Sequence, residues 1–470
     1  MAPIPRAPLE SQLDDPLLGY LIAFVVCLGL CISIIVCGSC CKKKTKKKRE
    51  STTRRPLVVG GVGSRYQQVT VTFAINILRA VALPTLKGAR PPSCVVSPIA
   101  LQASFGVCLL GAHSKTQDEI TDALFPQSGS TTYAEDVLKD IIASTKKCRD
   151  DGLFQLFIRV YAHSRILYAA EFKQTIATFF QSKPFTLIDY RKSNTGKMAA
   201  VTHQWLARTT HHQLTTFDST SWRPINETKS SLCVVSAASL DCQWTLPFYQ
   251  HQTRQGKPFY VDLGRSIKAE MMRQTNTFGF ADNEHVQVLR MEYANSDMAA
   301  YVFLPRLMTG LERLEQKMTA DNILALCNSA MQRKQMVDVS LPKFKIECEI
   351  GDPLVVALAN LGFATAFKKN EADFSHILDE SVENQFALWI SGAVHKVCIE
   401  FSDVPRLIPD GQGSMRSAKS MTVSMPTVST ASAGSAIGGV ENFVADHPFL
   451  FLILVEPKMT PLFYGRYCGS

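Results

Sequence analysis

From Pro405 to Val440 the chain is dominated by Pro, Gly, Ser, Thr, Ala and Met, with few large aliphatic residues and no aromatic one. Strand-like sequence lies on both sides of it. A connection of that length inside a compact domain is uncommon and is usually functional or disordered. It therefore constrains the fold strongly. It lies between two strand regions near the C-terminus. From about Gln68 onward the remaining texture is globular, with no second linker and no internal repeat. Apolar residues recur at helical spacing over Val71–Leu83, Ile99–Leu110 and Lys115–Leu124. Val286–Leu289, Ala300–Leu304, Val337–Leu341, Ala387–Ile390, Lys396–Phe401 and Leu450–Val455 read as strands. Helices lead and strands dominate the rest of the chain, which predicts an α+β domain and not alternating βαβ units.

The N-terminal region follows different rules. No charged residue occurs between Pro16 and Cys41, and Leu17–Val36 is almost wholly apolar. Twenty residues of helix span about 30 Å, one bilayer core. Glu10, Asp14 and Asp15 precede the run with Arg6 as the only early base, whereas a cleaved signal carries its positive charge first. The reading is a short tail over 1–16, a membrane-spanning helix over 17–41 and a basic, Gly-rich linker over 42–67. Nine basic residues between Lys42 and Arg55, opposed by Glu50 alone, hold +8 of the net +9. They place the large domain on the cytoplasmic side and offer a surface to anionic lipid. The rest of the chain is close to neutral, so a nucleic-acid partner is not expected.

Five of the 14 cysteines (Cys27, Cys31, Cys37, Cys40, Cys41) lie in or beside that run. Cys37, Cys40 and Cys41 are candidates for lipidation, not for zinc, because no second pair follows at ligand spacing. The other nine are scattered singly, as free thiols are. Asn226-Glu227-Thr228 is a glycosylation sequon and speaks against the cytoplasmic assignment. No G-x-S-x-G, H-E-x-x-H, phosphate-loop or dinucleotide motif is present, so no enzyme activity, metal or cofactor is expected.

Several short stretches, in order, resemble the serpin family. Ser97-Pro98, Leu110-Gly111-Ala112 and Thr116 come first, then Gln204-Trp205, Trp244 with Phe248, and Leu304-Pro305. Leu341–Lys345, Leu358–Gly362 and Leu388–Lys396 come next. Phe443–Ile453 and Pro461–Arg466 close the series. The resemblance implies one serpin domain over 68–470, with three β-sheets, eight or nine helices and an exposed reactive loop over about 402–442. It implies a monomer that meets a serine protease, or a cysteine protease, as a suicide substrate. It also raises the alternative of a secreted or extracellular location.

The resemblance assigns positions residue by residue, and several depart from the family. Aligned without a gap, the loop hinge starts at Val404, Pro405 and Arg406, where the family has Gly-Thr and small residues. A gapped alignment puts Gly413-Ser414 there and Arg416 at a buried position. Counting forward places the scissile bond at Thr427–Val428, and counting back places it at Ile437–Gly438. In the shutter, Ser97 and His395 match, while Ser236 stands where Asn is common. Trp244 takes the gating position. The loop must become a buried strand, and proline lacks the N–H a ladder needs. Weak trapping is therefore expected, with a non-inhibitory binding or decoy protein as the alternative.

Overall fold

The computed structural model describes residues 64–82, 92–164, 166–180, 183–188, 195–210, 214–217, 231–379, 387–403 and 439–469. Helix α1 (Arg65–Val81) opens them. Ser64 accepts from the Gln67 N–H while the Gln67 side chain accepts from the Ser64 N–H, a capping box that fixes the start. The helix thus begins two residues before the expected end of the linker at 67. Strand β1 (Cys94–Val96) leads into α2 (Pro98–Leu109), where Ser97 caps and Pro98 occupies the first turn. All twelve residues of α2 are buried, so it is the central helix of the domain.

Helices α3 (Ser114–Leu124), α4 (Thr131–Ser144) and the one-turn α5 (Lys146–Asp150) follow, then β2 (Phe154–His163) and α6 (Ala170–Phe179). Next come β3 (Phe185–Ile188), α7 (Thr195–Thr209) and β4 (Ser231–Leu240). The middle of the chain supplies β5 (Arg254–Asp262), β6 (Arg265–Asp282), β7 (Val286–Glu292) and β8 (Met298–Pro305). After α8 (Leu311–Lys317) and α9 (Ala320–Gln332) come β9 (Lys334–Pro342), β10 (Phe344–Ile350) and α10 (Asp352–Asn360). The chain closes with β11 (Trp389–Phe401), β12 (Glu441–Val444), β13 (Phe449–Val455) and β14 (Thr460–Tyr467). The α+β content is as the sequence implies. Ten α-helices lie among the described residues where eight or nine were expected. The surplus is short: only Thr145 separates five-residue α5 from α4.

The expected three sheets are joined into two hydrogen-bonded networks. One is ordered β1-β14-β13-β8-β7-β6-β9-β12, with β5 on the side of β6; the other is β10-β11-β4-β2-β3. The joint is β6. Its 18 residues pair with β5 near the start, with β9 over Met271–Gly279 and with β7 over Gly279–Asp282. Gly279 stands at the handover, where a Cβ would lie 2.5 Å from the Ala330 carbonyl of α9. Ala387–Ile390 and Lys396–Phe401, expected as two strands, are one strand from Trp389, with Ser391-Gly392 absorbed in a bulge.

The segment expected as a loop is anchored at both ends. Ser402 and Asp403 still pack after β11, and Glu441–Asn442 already belong to β12. Residues 404–438 lie outside the described residues, and with them Val404, Pro405, Arg406, Gly413, Ser414, Thr427, Val428, Ile437 and Gly438. So do Leu17–Val36, Lys42–Arg55, Cys37, Cys40, Cys41 and Asn226. Among the described residues no helix is long and apolar enough to cross a membrane, and no group of metal-ligating side chains is placed to hold an ion.

Gly465, in the Pro461–Arg466 motif, tests the packing of the larger sheet. A Cβ there would lie 2.4 Å from Phe451 Cζ and 2.7 Å from the Cys94 carbonyl of neighbouring β1. Gly465→Ala should therefore cost about 1–3 kcal/mol through overpacking. Thermal unfolding of the variant reads the cost directly, and an unchanged melting temperature would contradict the packing described.

Candidate functional site: the seam between β4 and β11

In the five-stranded sheet, β4 and β11 run parallel, from Trp389 opposite Ser231 to Cys398 opposite Ser239. Each is antiparallel to its outer neighbour, β2 and β10. Parallel pairing is slightly weaker per residue than antiparallel, so this central seam is where the middle of the sheet parts most easily. His395, Lys396, Val397 and Cys398 face the small residues Ser236, Ala237, Ala238 and Ser239 toward its end. Alternation sends His395 and Ser236 toward the main core and Lys396 to the other face.

The core-side clasp is His395, fully buried. Its Nε2 accepts from the Ser97 backbone N–H at 3.0 Å. Nε2 is therefore the unprotonated nitrogen, and Nδ1–H donates to Ser236 Oγ at 2.9 Å. One imidazole on β11 thus holds both β4 and the N-terminus of α2. Burial disfavours its charged form and lowers its pKa to about 3. It has no nucleophile or acid partner of a catalytic kind; Ser236 and Ser97 contribute a hydroxyl and a backbone amide.

The outer clasp is centred on Lys396, the last residue of the Leu388–Lys396 motif, which the sequence gives no site role. Lys396 Nζ donates to the Thr216 carbonyl at 2.6 Å and pairs with Glu347 and Glu349 of β10 at 2.9 and 3.0 Å. Burial lowers the pKa of this ammonium, but the two carboxylates outweigh it and the net shift is upward. The Phe217 N–H donates to His203 of α7, so Lys396 holds a segment tied to that helix. On the opposite side of the seam, Tyr161 of β2 shares a hydrogen bond with Thr202 of α7 at 2.7 Å, and Arg159 lies over the Trp205 ring. Leu206, Leu214 and Phe217 pack with Val235, Ala237, Val394 and Cys398. Helix α7 and residues 214–217 therefore strap the two halves of the sheet together.

A third cluster marks the point where the chain leaves β11. Trp244 stacks on Tyr293, contacts the edge of Phe401 and donates from Nε1 to the Ser402 carbonyl at 3.1 Å. One residue on, the buried Asp403 carboxylate meets Lys343 Nζ at 2.8 Å and accepts from Thr253 Oγ1 at 2.6 Å. Burial opposes its charge, yet Lys343 and Thr253 hold its pKa below the usual carboxylate value. Ser97, Ser236 and His395 thus meet in one cluster, while Trp244 stands in a separate one at the end of the seam. Lys343, Lys396, Thr253 and Asp403 complete the arrangement. The sequence signal for the lysines is their position within strand-like motifs, where a buried lysine needs a partner.

A sequence profile described as Serpin (serine protease inhibitor) matches residues 68–469. Serpin B3 of Homo sapiens is 26% identical over 387 residues, covering 79% of this chain and 92% of its own length. Serpin B5 of Homo sapiens is 23% identical over 410 residues, covering 86% and 99%. Among solved structures, maspin superposes with a TM-score of 0.71 at 20% identity, over 86% of this chain and 98% of its own. Uncleaved ovalbumin gives 0.68 at 22% identity, over 87% and 100%. At those identities the structural likeness speaks for the fold.

The pH dependence of stability tests the His395 clasp. A histidine neutral down to about pH 3 when folded, against 6.5 ordinarily, takes up a proton on unfolding between those values. Stability drawn from His395 is thus present above pH 6.5 and declines as the pH falls from 6.5 toward 3. In His395→Asn the stability deficit relative to the wild type should shrink over that window, as followed by denaturant unfolding. A deficit that stays constant with pH would show that His395 titrates alike in the folded and unfolded chain, and so that burial does not keep it neutral.

Proposed function

This chain belongs to the serpin family, and we propose that it meets a serine-type endopeptidase through residues 404–438 as a suicide-substrate inhibitor with weak trapping. A cysteine protease is the second class of target. The reading rests on the β4–β11 seam. It is closed along its paired length, and the chain leaves its end at Asp403 to return at β12 in the other sheet. The slot for a cleaved loop is the parallel one flanked by paired strands on both sides, between β4 and β11. Entering it requires undoing the three clasps. Strand addition of this kind supplies main-chain hydrogen bonds as the driving force.

The loop sequence argues for slow entry. Pro405 and Pro409 remove ladder donors, and Arg406, or Arg416 with the hinge at Gly413-Ser414, brings a charge to a buried position. Trapping is a race between insertion and hydrolysis of the acyl-enzyme, so most encounters should end in a cut loop. The bond cut is Thr427–Val428 or Ile437–Gly438 by the two ways of counting. The second reading is a binding or decoy protein on the same scaffold, favoured by the same two prolines. Incubation with a panel of serine and cysteine proteases decides between them. Cleaved protein in excess over a covalent complex that survives denaturing electrophoresis is the expected result. A little-changed melting temperature after cleavage should accompany it. A large rise would mean the loop inserts readily, and no cleavage by any protease would leave the decoy reading.

The N-terminal proposal rests on sequence. Leu17–Val36 is read as a single-pass anchor with the monomeric domain on the cytoplasmic side, Lys42–Arg55 on anionic lipid and Cys37, Cys40 and Cys41 lipidated. In cells, Asn226 should stay unglycosylated and the domain should be digested by a protease added to the cytosolic side. Glycan at Asn226 would reverse the orientation.

A further inference from the structure

Two thiols outside the seam face each other between the two sheets. Cys94 on β1 and Cys348 on β10 are 254 residues apart in sequence, and their Sγ atoms stand 3.8 Å apart. Both are reduced. Cys94 is opposite Arg466 of β14 in the nine-stranded sheet, and Cys348 is opposite Val397 of β11 in the five-stranded one. We propose that Cys94 and Cys348 form a latent disulfide, closed by a peroxide, that bonds β1 of one sheet to β10 of the other. The proposal does not depend on the protease reading.

The chemistry of the pair is asymmetric in the way such a reaction needs. Cys94 is buried, whereas Cys348 is half-buried. The Cys94 thiol and the Val95 N–H both donate to the Cys348 sulfur and lower its pKa to about 7, while the Cys94 thiol is pushed up. Burial pushes Cys108, Cys233, Cys242 and Cys327 upward, away from the reactive thiolate. The Cys348 thiolate attacks one peroxide oxygen, the O–O bond breaks, and hydroxide leaves, taking a proton to become water. Cys94 then loses its proton and attacks the sulfenic sulfur; the S–S bond forms and the S–O bond breaks, releasing the second water. Two electrons pass from the sulfur pair to the peroxide.

The sulfurs must close from 3.8 Å to about 2.05 Å. Ser97, whose N–H binds His395, lies three residues beyond Cys94, and His395 lies two residues before Val397, the register partner of Cys348. The bond therefore forms beside the core-side clasp and fixes the β10–β11 half of the seam to the larger sheet.

The test uses the full-length protein, reduced, freed of reductant, treated with hydrogen peroxide, alkylated and digested without reductant. The expected product is the Cys94 peptide joined to the Cys348 peptide, two hydrogens lighter than the separate pair and cleaved by reductant. The oxidised protein should melt higher than the reduced one. In Cys94→Ser, which lacks the resolving thiol, Cys348 should go on to the sulfinic acid. Wild-type protein in which both thiols remain alkylatable, in which Cys348 becomes a sulfinic acid, or in which Cys94 joins Cys468 would overturn the proposal.

Discussion

The parallel pairing of β4 with β11 is the constraint on which the rest of this molecule depends. It joins an antiparallel pair, β10–β11, to the β4–β2–β3 group. Of the two parallel contacts in that sheet, it is the one whose strands both keep an antiparallel partner when a new strand comes between them. Small side chains line the end of the seam on the β4 side, so little apolar area resists its parting there beyond the backbone ladder itself. Cohesion has been moved from the seam into side chains that cross it.

Those crossing groups are polar and buried, which makes them all-or-none. His395 gives both of its nitrogens to partners on other elements, Lys396 answers two carboxylates and a carbonyl, and Asp403 answers Lys343 and Thr253. A hydrogen bond of this sort adds only about 1 kcal/mol net, yet leaving one partner buried and alone costs about 1–3 kcal/mol. The closed seam is therefore stiff against small displacements, because each clasp must be undone completely or left intact. Opening becomes a discrete event, as switching between packed states generally is. The α7 strap adds a geometric condition: Tyr161 and Lys396 lie on opposite sides of the seam, so parting the strands loosens the hold on that helix from one side or the other.

The elements are legible where local pattern decides them. Val286–Leu289, Ala300–Leu304 and Leu450–Val455 lie within β7, β8 and β13, and Ile99–Leu110 overlaps α2 nearly end to end. Ser64 and Gln67 form a cap inside a stretch whose composition is that of a linker. Ser391-Gly392 has the composition of a break between strands, yet a bulge absorbs it because β4 pairs on both sides of it. The continuity of β6 is hidden for a different reason: β5 and β7 flank it in sequence but β9 follows only after α9, and no local pattern states that one strand serves three neighbours. The site divides the same way. Ser97, Ser236, His395 and Trp244 stand out from motifs, but Lys343–Asp403 and Lys396–Thr216 join residues 60 and 180 positions apart. Nothing in the sequence around either partner names the other.

The seam and the loop it would receive obey opposed demands. A strand entering between β4 and β11 has to offer donors and acceptors on both edges and small side chains on both faces, since both faces of this sheet are covered. The seam supplies such a slot, with Ala237 and Ala238 leaving room on either side. The sequence after Asp403 offers two prolines and an arginine in its first seven residues, and the run of small residues begins only beyond Gly413. The Asp403 ion pair then takes on added weight, because it fixes the last residue before that unfavourable stretch and so sets where any insertion has to begin. The slot and the strand that would fill it are thus set by separate parts of the chain. Substitutions at 404–414 can change how the molecule meets a protease without disturbing the sheet that gives it its fold.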